Sequence, residues 1–198
     1  MKQPWSFTVT VLSRDIEEMH HDVTWLIGAL ARDLMARGRN PGVMRMLVKL
    51  SGCDFSQASL ANLPPSRARA CAMLPEAVTG ALEAAHESAS ALAAAHEYLP
   101  WEEWSEGSAR AALLGADALM RARAMEISLL LLEPGARLAL EPETKDALFF
   151  ALSGPSRWRT QGAALLALDA GQTLFVTAGH GLEARAGEGA LLAARLAG

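Results

Sequence analysis

Residues 127–154 read ISLLLLEPGARLALEPETKDALFFALSG. Two apolar runs, 127–132 and 147–152, are short for helices, and each ends at a turn signal. The first stops at Glu133-Pro134-Gly135 and the second at Ser153-Gly154-Pro155-Ser156. Glycine permits the left-handed backbone of a tight turn, and proline fixes φ while removing an N–H. Runs bounded in this way predict strands. The texture continues through 164–168, 173–177 and 190–195, with Asp169-Ala170-Gly171 and Arg185-Ala186-Gly187 between them. Gly187-Glu188-Gly189 reads as a hairpin turn, since no strand–helix unit precedes it to make a phosphate loop. Short strands at regular turn spacing predict an antiparallel sandwich or barrel from about Gly115 onward. Alanine is a poor strand former, so turn spacing carries that expectation more than propensity does.

Up to about Trp104 the period is helical. Ile16, Met19, Val23, Leu26, Ile27, Leu30 and Leu34 recur at steps of three and four, one stripe of a helix. Ser13 is the expected N-cap, and Gly38 with Pro41 the expected end. A second helix is predicted from Pro41 to Leu50, closed by Gly52, and Asn62 to Ser66 is a break at Pro64-Pro65. Ala-rich Pro75 to Glu97 predicts one further helix. Its doubled phrase, Ala84-Ala85-His86-Glu87 and Ala94-Ala95-His96-Glu97, matches no solenoid period.

The chain has 198 residues, 51% of them hydrophobic and 6% aromatic, enough to bury a core. Lys plus Arg is 18 and Asp plus Glu is 22, a formal net charge of −4. A mildly acidic chain without a basic tract is a poor binder of nucleic acid. No apolar run approaches the roughly 20 residues that span a bilayer, and no export signal opens the sequence. A cytoplasmic protein of bacterial type, with no membrane partner, is expected. Cys53 and Cys71 belong to no CxxC pair and predict neither a disulfide framework nor a thiolate metal site.

The glycine spacing resembles that of the cupin barrels. Their first motif places Gly, five residues, His-x-His, three or four residues, Glu, six residues and Gly. The second places Gly, five residues, Pro-x-Gly, two residues and His. Here Gly135 is followed by five residues, then Glu141, Pro142 and Glu143, then Ala147 and Gly154. Gly171 is followed by five residues, then Thr177-Ala178-Gly179 and Leu182. Within the cupins the wording resembles the dimethylsulfoniopropionate (DMSP) lyases. It does so in Leu99-Pro100-Trp101, Leu129–Leu132 before Pro134-Gly135, Leu152-Ser153-Gly154 before Trp158, and Leu191-Leu192-Ala193. That resemblance implies cleavage of DMSP to dimethyl sulfide and acrylate at a divalent metal, with a tyrosine as base.

Against that pattern, Glu141, Glu143 and Leu182 stand where the family has histidines, and Ala147 where it has glutamate. Every nitrogen donor of the motif is gone. Phe149 stands where the family has its tyrosine, and a phenyl ring accepts no proton. Glu141 and Glu143, one residue apart, point to one face of a strand. His180 lies two residues before the lost ligand, about 6–7 Å along an extended chain. A relocated metal site of Glu141, Glu143 and His180 is therefore one expectation, and an empty pocket with His180 in a surface turn is the preferred one. Phe149 and Phe150 are expected to fill the barrel or its outer face, and Tyr98, the single tyrosine, to pack at the junction.

The remaining constellations read as structural. His20 and His21 diverge by about 100° on a helix, and neither they nor His86 and His96 make an HxxxH zinc site. Ser153 and Ser156 lack a nucleophile elbow. Arg121, Arg123, Arg157 and Arg159 alternate with apolar residues and predict a polar strand face, with gripping of an anion as the alternative. Trp101, Trp104 and Trp158 are expected at the seam between helices and barrel.

The expected fold class is α+β. A helical region, residues 1–106, packs on a cupin barrel (a double-stranded β-helix or jelly roll), residues 107–198. The expected function is that of a degenerate relative of the DMSP lyases, without the usual metal site, binding a small ligand in the barrel. Two alternatives stay open: an active metal-dependent lyase using a relocated site, and a structural or regulatory interaction protein. No cofactor is expected, and a divalent metal is the alternative. A homodimer through low-charge strands such as 147–152 and 173–177 is expected, because pairing would cover sheet edges.

Overall fold

Apolar residues at helical spacing in the first half and at strand spacing in the second build two cores that share one sheet. The computed structural model describes residues 6–37, 40–53, 55 and 68–198, with side chains from Glu17 onward. The break expected at Asn62 to Ser66 lies outside the described residues. Helix α1 (Ser6–Ala36) presents Val23, Leu26, Ile27, Leu30 and Leu34 to the first core. It begins ahead of the expected cap, so Ser13 lies within it. Helix α2 (Pro41–Ser51) starts as predicted: the Gly42 N–H donates to Asn40 Oδ1 at 2.9 Å, and Pro41 sits at the first turn.

The single helix expected over Pro75 to Glu97 is two, α3 (Leu74–Ala81) and α4 (His86–Ala95), followed by a 3-10 turn at His96–Tyr98. Alanine-rich propensity does not specify where a helix stops, and tertiary packing decides it here. Helix α4 opens on Ala85, which has no side chain able to cap it. Asp33 of α1 supplies the cap instead. Its Oδ2 accepts from the Ser88 N–H at 2.8 Å and from the Ser88 hydroxyl at 2.6 Å. Ser88 is fully buried, so no water replaces that acceptor.

Eleven strands follow. The seven-stranded sheet contains β1 (Trp101–Ser105), β2 (Ser108–Gly115), β3 (Met120–Arg121), β4 (Glu126–Leu132), β6 (Ala147–Ala151), β9 (Thr173–Val176) and β11 (Leu191–Ala197), in the order β1-β2-β4-β11-β6-β9 with β3 beside β2. The four-stranded sheet is β5 (Arg137–Leu140), β10 (Leu182–Ala186), β7 (Ser156–Thr160) and β8 (Leu166–Leu168), in the order β5-β10-β7-β8. Pairing is antiparallel except between β2 and β3. The two sheets stack as a jelly roll. No described helix is long and apolar enough to cross a membrane.

Period-two alternation sorts the large sheet into two faces. Leu129, Leu131, Leu148, Phe150, Leu192, Ala194 and Leu196 meet the helices, while Leu130, Leu132, Phe149, Leu191 and Ala193 meet the small sheet. Phe149 packs on Trp158 of β7 with ring centroids 5.4 Å apart. The Trp158 indole N–H donates to Ser156 Oγ at 2.8 Å, and the Ser156 hydroxyl donates to the Leu168 carbonyl at 3.1 Å. Gly135, Gly171 and Gly179 hold φ of 73°, 84° and 87°, as the turn reading requires.

Several expectations are corrected. Trp101–Ser105 is a strand, not the end of a helix, and its hairpin with β2 straddles the 106/107 boundary. Gly187-Glu188-Gly189 is not a hairpin, because β10 and β11 lie in different sheets. Trp158 sits between the sheets and away from the helical seam that Trp101 fills. Strand β6 is paired on both sides and is not a sheet edge. Strand β9 is an edge, but the Phe175 ring already packs on Gly42 of α2 and lies under Arg45 at 5.3 Å.

Removal of the cap between helices tests this packing. Asp33→Ala leaves two buried donors on Ser88 without a partner and is expected to cost about 1–3 kcal/mol, measured by urea unfolding.

Candidate functional site

In the strand β11 run LLAARLA, Arg195 is the one charged residue. Ala194 and Leu196 face the helices, so Arg195 faces the barrel. Its register partners are Ser128 on β4 and Phe149 on β6. The carboxylate it meets belongs to Glu143, in the connection between β5 and β6. Arg195 Nε donates to Glu143 Oε1 at 2.8 Å, and Nη2 donates to Oε2 at 2.5 Å. Both side chains are nearly buried, 12% and 6% exposed. A two-pronged pair of this kind is the geometry in which a guanidinium holds a carboxylate best. Arg195 Nη1 also reaches Glu126 Oε2 at 3.4 Å, and Lys145 Nζ donates to Glu126 Oε1 at 3.0 Å.

The chain Lys145–Glu126–Arg195–Glu143 thus ties the loop after β5 to the barrel side of the large sheet. Burial works against the Arg195 charge, but the hydrogen bonds and charge of Glu143, then of Glu126, outweigh it and raise its pKa. Burial also opposes the Glu126 charge. The hydrogen bond and charge of Lys145, with those of Arg195, win and hold its carboxyl below the ordinary 4.5.

The three residues singled out from the sequence part company here. Glu141 is exposed. Glu143 is buried and held by Arg195. His180 is exposed, with its Nδ1 3.1 Å from Thr177 Oγ1 and 3.3 Å from the Thr177 carbonyl. The backbones of Glu143 and His180 do meet, the Glu143 N–H donating to the His180 carbonyl at 3.2 Å. Their side chains point to different surroundings. Among the described residues no group of three or more His, Cys, Asp or Glu is placed to hold a metal. Ala147 and Leu182 are buried in the apolar layer with Phe149 and Trp158.

Sequence reasoning missed Arg195, Glu126 and Arg110. A single arginine in an otherwise apolar central strand was a usable signal, because a charge there needs a partner. Arg110 on β2 also faces the barrel, since Ala109 and Ala111 face the helices. Its guanidinium lies over the Trp104 ring at 4.6 Å. Arg157 and Arg159 are exposed on β7 as expected of a polar strand face, Arg159 pairing with Glu183.

No protein-family model matches the sequence, and a search of curated proteins finds no match. Solved structures do match. A chain from the crystal structures of the DMSP lyases RdDddP and RnDddQII is 16% identical with a TM-score of 0.68, covering 91% of this chain and 94% of that one. The DMSP lyase DddQ from Ruegeria pomeroyi DSS-3 is 15% identical with a TM-score of 0.59, covering 80% of this chain and 92% of that one. The fold is a cupin fold and resembles that of the DMSP lyases.

Two outcomes test the ion-pair chain. Arg195→Met strands a buried carboxylate and is expected to cost about 3–5 kcal/mol in urea unfolding, most of it recovered by adding Glu143→Leu. The Glu126 pKa is depressed on folding, so its contribution is present above pH 4.5 and is lost as pH falls through the lower folded value. Glu126→Gln is expected to flatten the acid limb of stability against pH, followed by melting temperature.

Proposed function

We propose that this chain is a cupin-fold relative of the DMSP lyases that has given up metal chemistry and binds a small organic ligand on the barrel side of its large sheet. One observation carries it: the carboxylate of Glu143, at a motif position where the family has a metal-binding histidine, is taken up in both oxygens by Arg195. A guanidinium in that place supplies the positive charge that a metal would otherwise bring, and both Glu143 oxygens already accept from it. The other motif positions support the same reading. Ala147 and Leu182 carry no donor and are packed in hydrocarbon, and Glu141 and His180 are solvated. This donor set does not fit a cupin metal centre, whose open coordination site needs several converging donors. Nor is there a base where the family's tyrosine stands, because Phe149 is buried against Trp158.

The protein purified without added metal is expected to contain well under one equivalent of zinc, iron, nickel or manganese. Incubated with DMSP, with or without those metals, it is expected to release no dimethyl sulfide above the protein-free rate. Near-stoichiometric metal that survives dialysis against chelator, or turnover of DMSP, overturns the proposal.

A further inference from the structure

Along the strands of the small sheet hydrocarbon alternates with charge. Leu138, Leu140, Trp158, Leu182 and Ala184 face the large sheet, so the residues between them face solvent. On that outer face strand register sets Arg137 of β5 opposite Arg185 of β10, and Arg185 opposite Arg157 of β7. The spacing of neighbouring strands makes this a row of three arginines about 10 Å long. All three are exposed. Among the described residues none of them has a hydrogen-bond or ion-pair partner.

The next row on the same face is Ala139, Glu183 and Arg159, and there a charge meets its opposite, Arg159 pairing with Glu183. The arginine row has no such answer. Like charges directly opposite each other on a sheet are destabilising, and this row contains two such pairs. It does so in a chain whose net charge is −4. Beside Arg157 and Arg185 an open cleft of about 570 Å³ is lined by Gly135, Pro155, Arg157, Ala167, Arg185 and Glu188, among others. Glu188 is the one carboxylate among its described lining residues, and two guanidiniums stand against it. Ala167, the register partner of Arg157 on β8, is too short to cover its neighbour, so the row is open on that side.

We propose that the outer face of the small sheet binds a small phosphate monoester, with its phosphoryl group over Arg185, between Arg137 and Arg157, and its organic part in the cleft. Guanidinium forks direct paired N–H groups onto phosphate oxygens, and an anion centred on the row offsets both like-charge contacts at once. Charge density decides between anions. A phosphoryl group carries close to two negative charges at neutral pH and a carboxylate one, so three arginines without partners favour the phosphoryl group. Pro155, Ala167 and Ala186 give the organic part a hydrocarbon wall, and Glu188 can accept from a hydroxyl on it. The site lies on the side of the small sheet away from the barrel interior, so it stands independently of any ligand held there.

The test titrates the full chain with glycerol 3-phosphate by calorimetry, against inorganic phosphate, sodium acetate and a hexaglutamate peptide at equal ionic strength. Glycerol 3-phosphate is expected to bind more tightly than any of the three. Arg185→Gln and Arg157→Gln change solvent-facing side chains, and each is expected to weaken that binding by about tenfold or more. Arg123→Gln, at an exposed position between β3 and β4, is expected to bind as the parent does. Without ligand and at low salt, Arg185→Gln is expected to melt about 1–2 °C above the parent, because it removes both like-charge contacts. Salt screens exposed charges, so that difference is expected to shrink in about 0.5 M sodium chloride. A parent silent to glycerol 3-phosphate overturns the site, as does equal binding by the parent and the two row variants. Tighter binding of hexaglutamate overturns it in favour of an acidic protein partner. Capture of the parent by vesicles containing phosphatidic acid, with no response to the soluble ester, overturns it in favour of a lipid headgroup. Inorganic phosphate binding as tightly as the ester overturns the part given to the cleft.

Discussion

A sheet buried on both faces has no place for an uncompensated charge, and the large sheet is buried on both faces through β4, β11 and β6. Helices cover one side and the small sheet covers the other. This double burial explains why the strands read as near-continuous apolar runs, with polar alternation only in exposed strands such as β7. It also makes Arg195 the organising exception. Its charge at the barrel face requires Glu143, Glu143 fixes the loop after β5, and Glu126 with Lys145 completes the chain.

The same constraint separates the residues that set the shape from those that stand at the motif positions. Jelly-roll closure needs turns at set intervals and apolar layers between them, and the left-handed Gly135, Gly171 and Gly179 supply the turns. It does not need histidines at the barrel mouth. Ala147, Phe149 and Leu182 serve the layer as well as polar ligands would serve a metal. Scaffold and site chemistry are thus specified by different residues, which lets a fold persist at 16% identity to a DMSP lyase structure.

Much of the architecture was legible in one dimension. The α1 stripe from Val23 to Leu34, the capped start of α2, and the apolar runs of β4, β6, β9 and β11 appear in the structure close to where periodicity and turn residues put them. Strands β2, β5 and β10 were not legible, because Ala-, Arg- and Leu-mixed segments carry no β preference of their own. Nor was the break between α3 and α4, where a strong helix former is interrupted so that α4 docks its Ser88 on Asp33.

For the site, the sequence by itself determined which groups stand at the motif positions: carboxylates at Glu141 and Glu143, hydrocarbon at Ala147 and Leu182, and a phenyl ring at Phe149. It determined the α+β class as well, since a change of hydrophobic period is a local property of the chain. Only the tertiary structure decided what the remaining charges do. Arg110, Glu126, Glu143 and Arg195 come from three strands and a loop far apart in sequence, and no spacing rule links them. Strand register sets Arg195 beside Ser128, and burial converts a scatter of ordinary polar residues into partners that must find one another.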